Sequence, residues 1–142
     1  MPLPKILLAI PLLFLWVSCT NSTEKSKTEN PLGIEMNQGE KWQVNSEMYV
    51  FIHEFDSILN SVNPDDFEAQ KIGSALAEKN SELISSCTMK GKAHDELHKW
   101  LVPHLSLTEN LKEAQSKKEK DLALKDLESS MNEFHAFFKP KE

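Results

Sequence analysis

The sequence contains no arginine, since all 16 of its basic residues are lysine, against 22 acidic residues. Arginine supplies the planar, bidentate contacts with which many proteins hold phosphates and the edges of nucleic-acid bases. The formal net charge is −6, and an acidic surface whose cations are all lysine is typical of a solvated exterior. These observations argue against a nucleic-acid partner.

Glycine is scarce as well, with four residues in 142, and no stretch alternates apolar and polar residues over the length of a strand. Four segments instead repeat apolar residues every three or four positions, as amphipathic helices do. They run from about 48 to 62, 69 to 87, 93 to 111 and 118 to 138. The pattern predicts an all-α domain over residues 41–142, namely an up-down-up-down four-helix bundle whose third helix is kinked at Pro103.

Two expectations concern details of this bundle. The string NPDD at 63–66 predicts the start of the second helix, with Asn63 as its cap and Pro64 as its first residue. His53 and His104 are interpreted as surface or boundary histidines.

The first residues have the layout of a secretory signal peptide. Lys5 precedes an apolar run over 6–17, and the small Ser18 stands directly before Cys19. The run is shorter than the roughly 18–20 residues that a membrane-spanning helix needs. A cysteine in this position resembles the lipobox of bacterial lipoproteins, although Trp16 stands where that signal usually has Leu, Val or Ile.

The lipobox resemblance implies a mature protein that begins at a lipidated Cys19. Residues 1–18 would then be the signal peptide, and the remaining 124 residues would carry 15 lysines against 22 acids, a net charge of −7. Residues 19–40 are polar, contain proline and two glycines, and show no apolar period. They predict a disordered tether between the lipid and the helical domain.

The two cysteines of the chain have different expected roles. Lipidation of Cys19 leaves Cys87 as the single thiol, and an unpaired thiol in an oxidising compartment is either buried or in use. Cys87 opens the string CTMKGKAHDELH, which also holds Met89, His94 and His98. Because they are four residues apart and in one row with positions 101 and 105, the two histidines are predicted to follow the core stripe of the third helix. A thiolate, a thioether and two imidazoles on adjacent helical turns form a soft ligand set that suits copper(I) best and zinc(II) next.

Other side chains are expected to orient these ligands or to add one. Those predicted at the same end of the bundle are Met48, Asp95, Glu96, Met131 and His135. Noncovalent haem is a further alternative, because Met48 with His135, or His98 with Met131, could supply its two axial ligands. Core packing is the competing interpretation for both methionines and for Cys87.

Catalytic motifs are missing from the sequence. HDELH resembles the H-E-x-x-H of metalloproteases, but Asp95 replaces the glutamate that acts there as general base. The chain has no C-x-x-C-H for covalent haem, one Asp-x-x-His where di-iron bundles need two Glu-x-x-His, and no phosphate-binding glycine loop. We therefore expect a protein that is not an enzyme.

The string CTMKGKAHDELHKWL is similar to one in a group of small lipid-anchored helical proteins of Gram-negative bacteria. There, Cys-x-Met-x-Gly-x-x-His-x-x-Leu-His lies between two helices. The matching residues here are Cys87, Met89, Gly91, His94, Leu97 and His98. The resemblance implies a shared site but brings no activity with it.

Taken together, the sequence predicts a periplasm-facing lipoprotein held at the inner or outer membrane by its lipid. It would bind a soft metal for buffering or for handover to a protein partner. The alternative of a different class is a structural or protein-interaction module in which the same residues form a packed helix junction without metal.

Overall fold

The computed structural model describes residues 30–142, so the predicted signal peptide and Cys19 lie outside the described residues. The elements follow in the order β1 (Trp42–Val44), α1 (Ser46–Asn60), α2 (Ala69–Ser86), α3 (Gly91–Glu113), α4 (Lys117–Phe137) and β2 (Phe138–Pro140). Between residues 30 and 142, no helix has both the length and the apolar character needed to cross a membrane.

The prediction of a mostly helical domain with four helices is confirmed. Helix α2 packs against both α1 and α3, and α3 also packs against α4. Gly73 lets α2 approach α3 closely, because a Cβ at that position would lie 2.7 Å from the Cα of Lys112. The two backbones are therefore in contact there, with no room for a larger residue.

A small parallel sheet, which the sequence pattern did not predict, joins the two ends of the domain. Trp42 of β1 is the partner of Phe138 in β2, and Val44 is the partner of Pro140. The Lys141 N–H extends the pairing by donating to the Val44 carbonyl at 2.8 Å. Trp42, Val44 and Phe138 are buried, so the sheet closes one end of the core.

Two helix boundaries bear on the predictions. Helix α2 begins at Ala69, not at Asn63, so the expected start was wrong. The NPDD string forms a separate turn, in which Asn63 Oδ1 accepts from the Asp65 N–H at 3.1 Å and the Asn63 carbonyl accepts from the Asp66 N–H. Helix α3 runs without interruption through Pro103.

The expectation that His104 lies at the surface was wrong. Its side chain is completely buried, stacked on Trp100 with ring centroids 4.6 Å apart, and edge-on to Phe55. Its Nδ1 is 2.9 Å from the Ser130 hydroxyl, while its Nε2 has no hydrogen-bond partner among the described residues. Burial lowers the pKa of His104 to about 4, so the ring is neutral near pH 7.

Residues 30–35, part of the expected tether, lie against helix α3. Ile34 is buried. The Asn30 side chain binds its backbone twice, because its Nδ2 donates to the Ile34 carbonyl and its Oδ1 accepts from the Ile34 N–H. The Glu35 N–H donates to Glu96 Oε2 at 2.8 Å, and the Lys99 ammonium donates to the Gly33 carbonyl at 2.9 Å. This segment is therefore fixed along the flank of α3.

Candidate metal site at the start of helix α3

The connection between α2 and α3 is short and is held in place from α1. Cys87 follows the last residue of α2 in an extended conformation, and α3 begins at Gly91, whose φ of +65° favours glycine. Asn45, just before α1, donates to the Ser86 carbonyl at 3.1 Å and accepts from the Thr88 N–H at 3.4 Å. These two hydrogen bonds orient the connection and hence the first turns of α3.

His94 and His98 project from adjacent turns of α3 toward each other. Their Nε2 atoms are 3.2 Å apart and their ring centroids 4.4 Å apart. When both rings are neutral, one Nε2 donates and the other accepts, whereas a metal ion could take the lone pair of each. The two nitrogens are thus close enough for one metal ion to contact both.

The pair lies beside the core and not within it. His94 is half-buried and His98 is exposed, so the prediction that both follow the buried stripe was wrong for His98. The buried stripe of α3 instead passes through Leu97, Trp100 and Leu101. An exposed imidazole leaves one side of the pair open to solvent.

The distance between the two nitrogens limits the coordination geometry. With metal–nitrogen bonds of about 2.0–2.1 Å, a separation of 3.2 Å corresponds to an angle of roughly 100–105° at the metal. That angle is close to the tetrahedral value of about 109°. Linear coordination would instead need the two nitrogens about 4 Å apart.

Cys87 and Met89 have a different environment. Both are partly buried and pack against the hydrophobic core, and Cys87 is a free thiol. Within the range 30–142, no three histidine, cysteine or acidic side chains are grouped closely enough to hold a metal. The structure therefore brings His94 and His98 together without adding the thiol to them.

The two acids between the histidines have different environments. Glu96 is buried, and its carboxylate is occupied by the Glu35 N–H and by the Lys99 ammonium, at 2.8 and 2.9 Å. Asp95 is exposed. Glu96 thus anchors residues 30–36 and is not free to orient an imidazole.

The residues that were candidate haem ligands serve other contacts. Met48 and Met131 are core side chains, 1% and 3% exposed. His135 is half-exposed, and its Nε2 lies 2.9 Å from a carboxylate oxygen of Asp56, while its carbonyl accepts from the Lys41 ammonium. The His135–Asp56 pair ties α4 to α1 and was not foreseen, because nothing in the sequence links two residues so far apart.

Charged groups near the site are mostly neutralised in pairs. Lys92 lies beside Glu35, and its hydrogen bond and charge lower the pKa of that carboxyl while the pKa of Lys92 is raised. Lys99 is paired with Glu96. Both pairs lie where α3 meets residues 33–35. The exposed Asp95, between the two histidines in sequence, is the acidic residue nearest to them along α3 and is not among these pairs.

Comparison with protein-family models, with curated proteins and with solved structures finds no match for this chain.

Proposed function

We propose that this protein is a lipid-anchored, periplasm-facing protein that binds a soft or borderline transition metal, copper(I) first and zinc(II) next. Its role would be buffering or handover of the metal to a protein partner, without catalysis. The observation that carries the proposal is the 3.2 Å separation of the two Nε2 atoms of His94 and His98. Imidazole nitrogens suit both metals, and the two Nε2 atoms lie no farther apart than one metal ion with bonds of about 2.0–2.1 Å can span.

The position of Cys87 supports a role as an added thiolate ligand. Residue contacts between α2 and α3 run in opposite directions along the two helices: Gly73 lies by Lys112, and Asn80 donates to Thr108 at 3.0 Å. Continued to Cys87, about two turns beyond Asn80, this register would bring Cys87 level with residues 98–101 of α3. Because Cys87 follows the end of α2, its side chain can turn without breaking a helix.

The same register supports the finer architecture. Opposite directions for α2 and α3, together with the short connections between successive helices, favour the up-down-up-down bundle. Pro103 removes one backbone hydrogen bond from α3, which favours a bend at that point. In this arrangement the first turns of α3 share one end of the bundle with the start of α1 and the end of α4.

A second candidate function is a protein-interaction module without metal. The observation that favours it is the packing of Cys87 and Met89 against the hydrophobic core, where both side chains have a structural role already. In that case the histidine pair would be a surface feature with no ligand.

The test is a titration of the purified full-length chain, in detergent and under reducing anaerobic conditions, with copper(I) held by a coloured chelator. The proposal expects the chain to withdraw one copper(I) from the chelator. His94→Ala/His98→Ala should abolish the transfer, and Cys87→Ser should weaken it at least tenfold. His53→Ala is the matched control, because His53 is an exposed histidine on α1.

Two results would count against the proposal. If the wild type and the double variant lose copper(I) to the chelator equally, the metal function is refuted and the interaction module remains. If His53→Ala lowers the affinity as much as the double variant does, the binding is unspecific and the assigned site is wrong.

A further inference from the structure

The histidine pair supplies half of a tetrahedral metal site. The 3.2 Å separation corresponds to roughly 100–105° at a metal with bonds of about 2.0–2.1 Å. Structural zinc sites are almost always four-coordinate, so two more ligands are needed to close such a site. Because His98 is exposed, those ligands can arrive from outside the chain.

Two exposed apolar side chains, together with the exposed Asp95, lie near the level of the pair. Val102 follows His98 by one turn of α3 and is 58% exposed, and Ile84 of α2 is 47% exposed. The register given by Gly73 with Lys112 places Ile84 level with residues close to Val102. Val102 thus lies one turn from His98 on α3, and Ile84 lies at a similar level on α2.

Residues 30–36 leave this side of α3 free. They bind α3 through Lys92, Glu96 and Lys99, which share one helical row spaced by four and three residues. His94 and His98 lie more than 90° around the helix axis from that row, at 100° per residue. Within the described part of the chain, residues 30–36 therefore do not cover the pair.

We propose that a second copy of this chain completes the site, so that His94 and His98 of two copies hold one zinc(II) ion between their α3 helices. The inference rests on the proposed metal binding and names the partner that closes the site. Four imidazoles without sulfur favour zinc(II), whereas the set that includes Cys87 favours copper(I). A two-fold axis through the ion places the same surface of each copy in contact, as closed dimers require.

The apolar side chains fit this arrangement. Two α3 helices that cross at the ion bring the Val102 and Ile84 side chains of each copy toward the other copy. Their burial adds apolar contact to the four metal bonds and removes apolar surface from water. Attachment of both copies to one membrane would raise their effective concentration.

The experiment is sedimentation velocity of the full-length chain in detergent, with zinc(II) added stepwise and then removed by a chelator. We expect the protein mass to double, with half a zinc per chain, and to return to the monomer value after chelation. His98→Ala should remove the dimer. His53→Ala should keep it, because His53 is an exposed histidine on α1 and does not belong to the four-imidazole site.

The outcomes separate this inference from the proposed function. One zinc per chain on a monomer would overturn the dimer and leave metal binding intact. Failure of the wild type to retain any zinc would overturn the zinc site and, together with a negative copper(I) titration, the proposed function. A dimer that persists in His98→Ala, or without zinc, would overturn the inference, since association would then not depend on the pair. Circular dichroism of each variant establishes that it is folded.

Discussion

Acidification should destabilise this protein through His104 before most of its carboxylates are protonated. The ring lies in the core between Trp100, Phe55 and Ser130, none of which carries a charge, and its Nε2 has no hydrogen-bond partner among the described residues. A proton on that nitrogen would place a positive charge in an apolar environment. Burial accordingly lowers the pKa of His104 from 6.5 to about 4.

The direction of this pH dependence follows from the pKa of His104 in the unfolded chain and in the folded chain. Between pH 6.5 and about 4 the unfolded chain binds a proton on His104 and the folded chain does not, so stability falls as the pH falls. Each pH unit between the two pKa values corresponds to about 1.4 kcal/mol of unfolding free energy. The whole interval therefore corresponds to a loss of roughly 3 kcal/mol, which is a large part of the stability of a small domain.

The assay is urea unfolding followed by circular dichroism at a series of pH values from 7.5 to 4. His104→Leu removes the titration and serves as the comparison, with His104→Gln as a second variant in case the first does not fold. The measured quantity is the difference between wild type and variant in the pH dependence of the unfolding free energy. The contribution of the carboxylates, which both proteins share, cancels in this difference. Equal slopes for wild type and variant between pH 6.5 and 4.5 would refute the reasoning.

Three further predictions concern stability. Gly73→Ala should lower the free energy of unfolding by about 1–3 kcal/mol, because the added Cβ would meet the backbone of Lys112 at 2.7 Å. An unchanged urea midpoint would contradict this close approach. Glu96→Ala should cost a similar amount, since it leaves the Glu35 N–H and a nearby ammonium without their carboxylate, and hydrogen exchange should show faster opening of residues 30–36 than in wild type. Ser116→Ala should cost about 1 kcal/mol through loss of the capping box at the start of α4, with a thermal melt equal to wild type as the contrary result.

The helices could be predicted because apolar spacing alone determines which face of a helix is buried. Phe55, Leu127 and Phe134 stand on such stripes and are buried as the spacing predicts. The sheet could not be predicted, because its strands have three residues each and pair positions almost one hundred residues apart. The burial of Ile34 was missed for a related reason, since a single apolar residue within a polar stretch has no period.

At the candidate site, too, contacts between residues close in sequence could be predicted, whereas contacts between distant residues could not. Two histidines four residues apart on a helix must point in similar directions, so the approach of His94 to His98 follows from the sequence. Whether they face the core depends on the rotation of α3, and the sequence placed His98 on the wrong side. His104 was assigned to the surface because a polar residue is rarely fully buried. Its stacking on Trp100 is a tertiary contact that spacing does not reveal.

The central claim is that His94 and His98 together bind a metal, and nuclear magnetic resonance of the histidine rings tests it most directly. The chain has five histidines, of which His53, His104 and His135 are internal controls in the same spectrum. Zinc(II) and copper(I) are both diamagnetic, so each can be added while the ring nitrogen resonances are followed. The account predicts large shifts of the Nε2 resonances of His94 and His98 that saturate together, with the three controls unchanged. Shifts of equal size at His53 and His135, or no shift at His94 and His98, would contradict it.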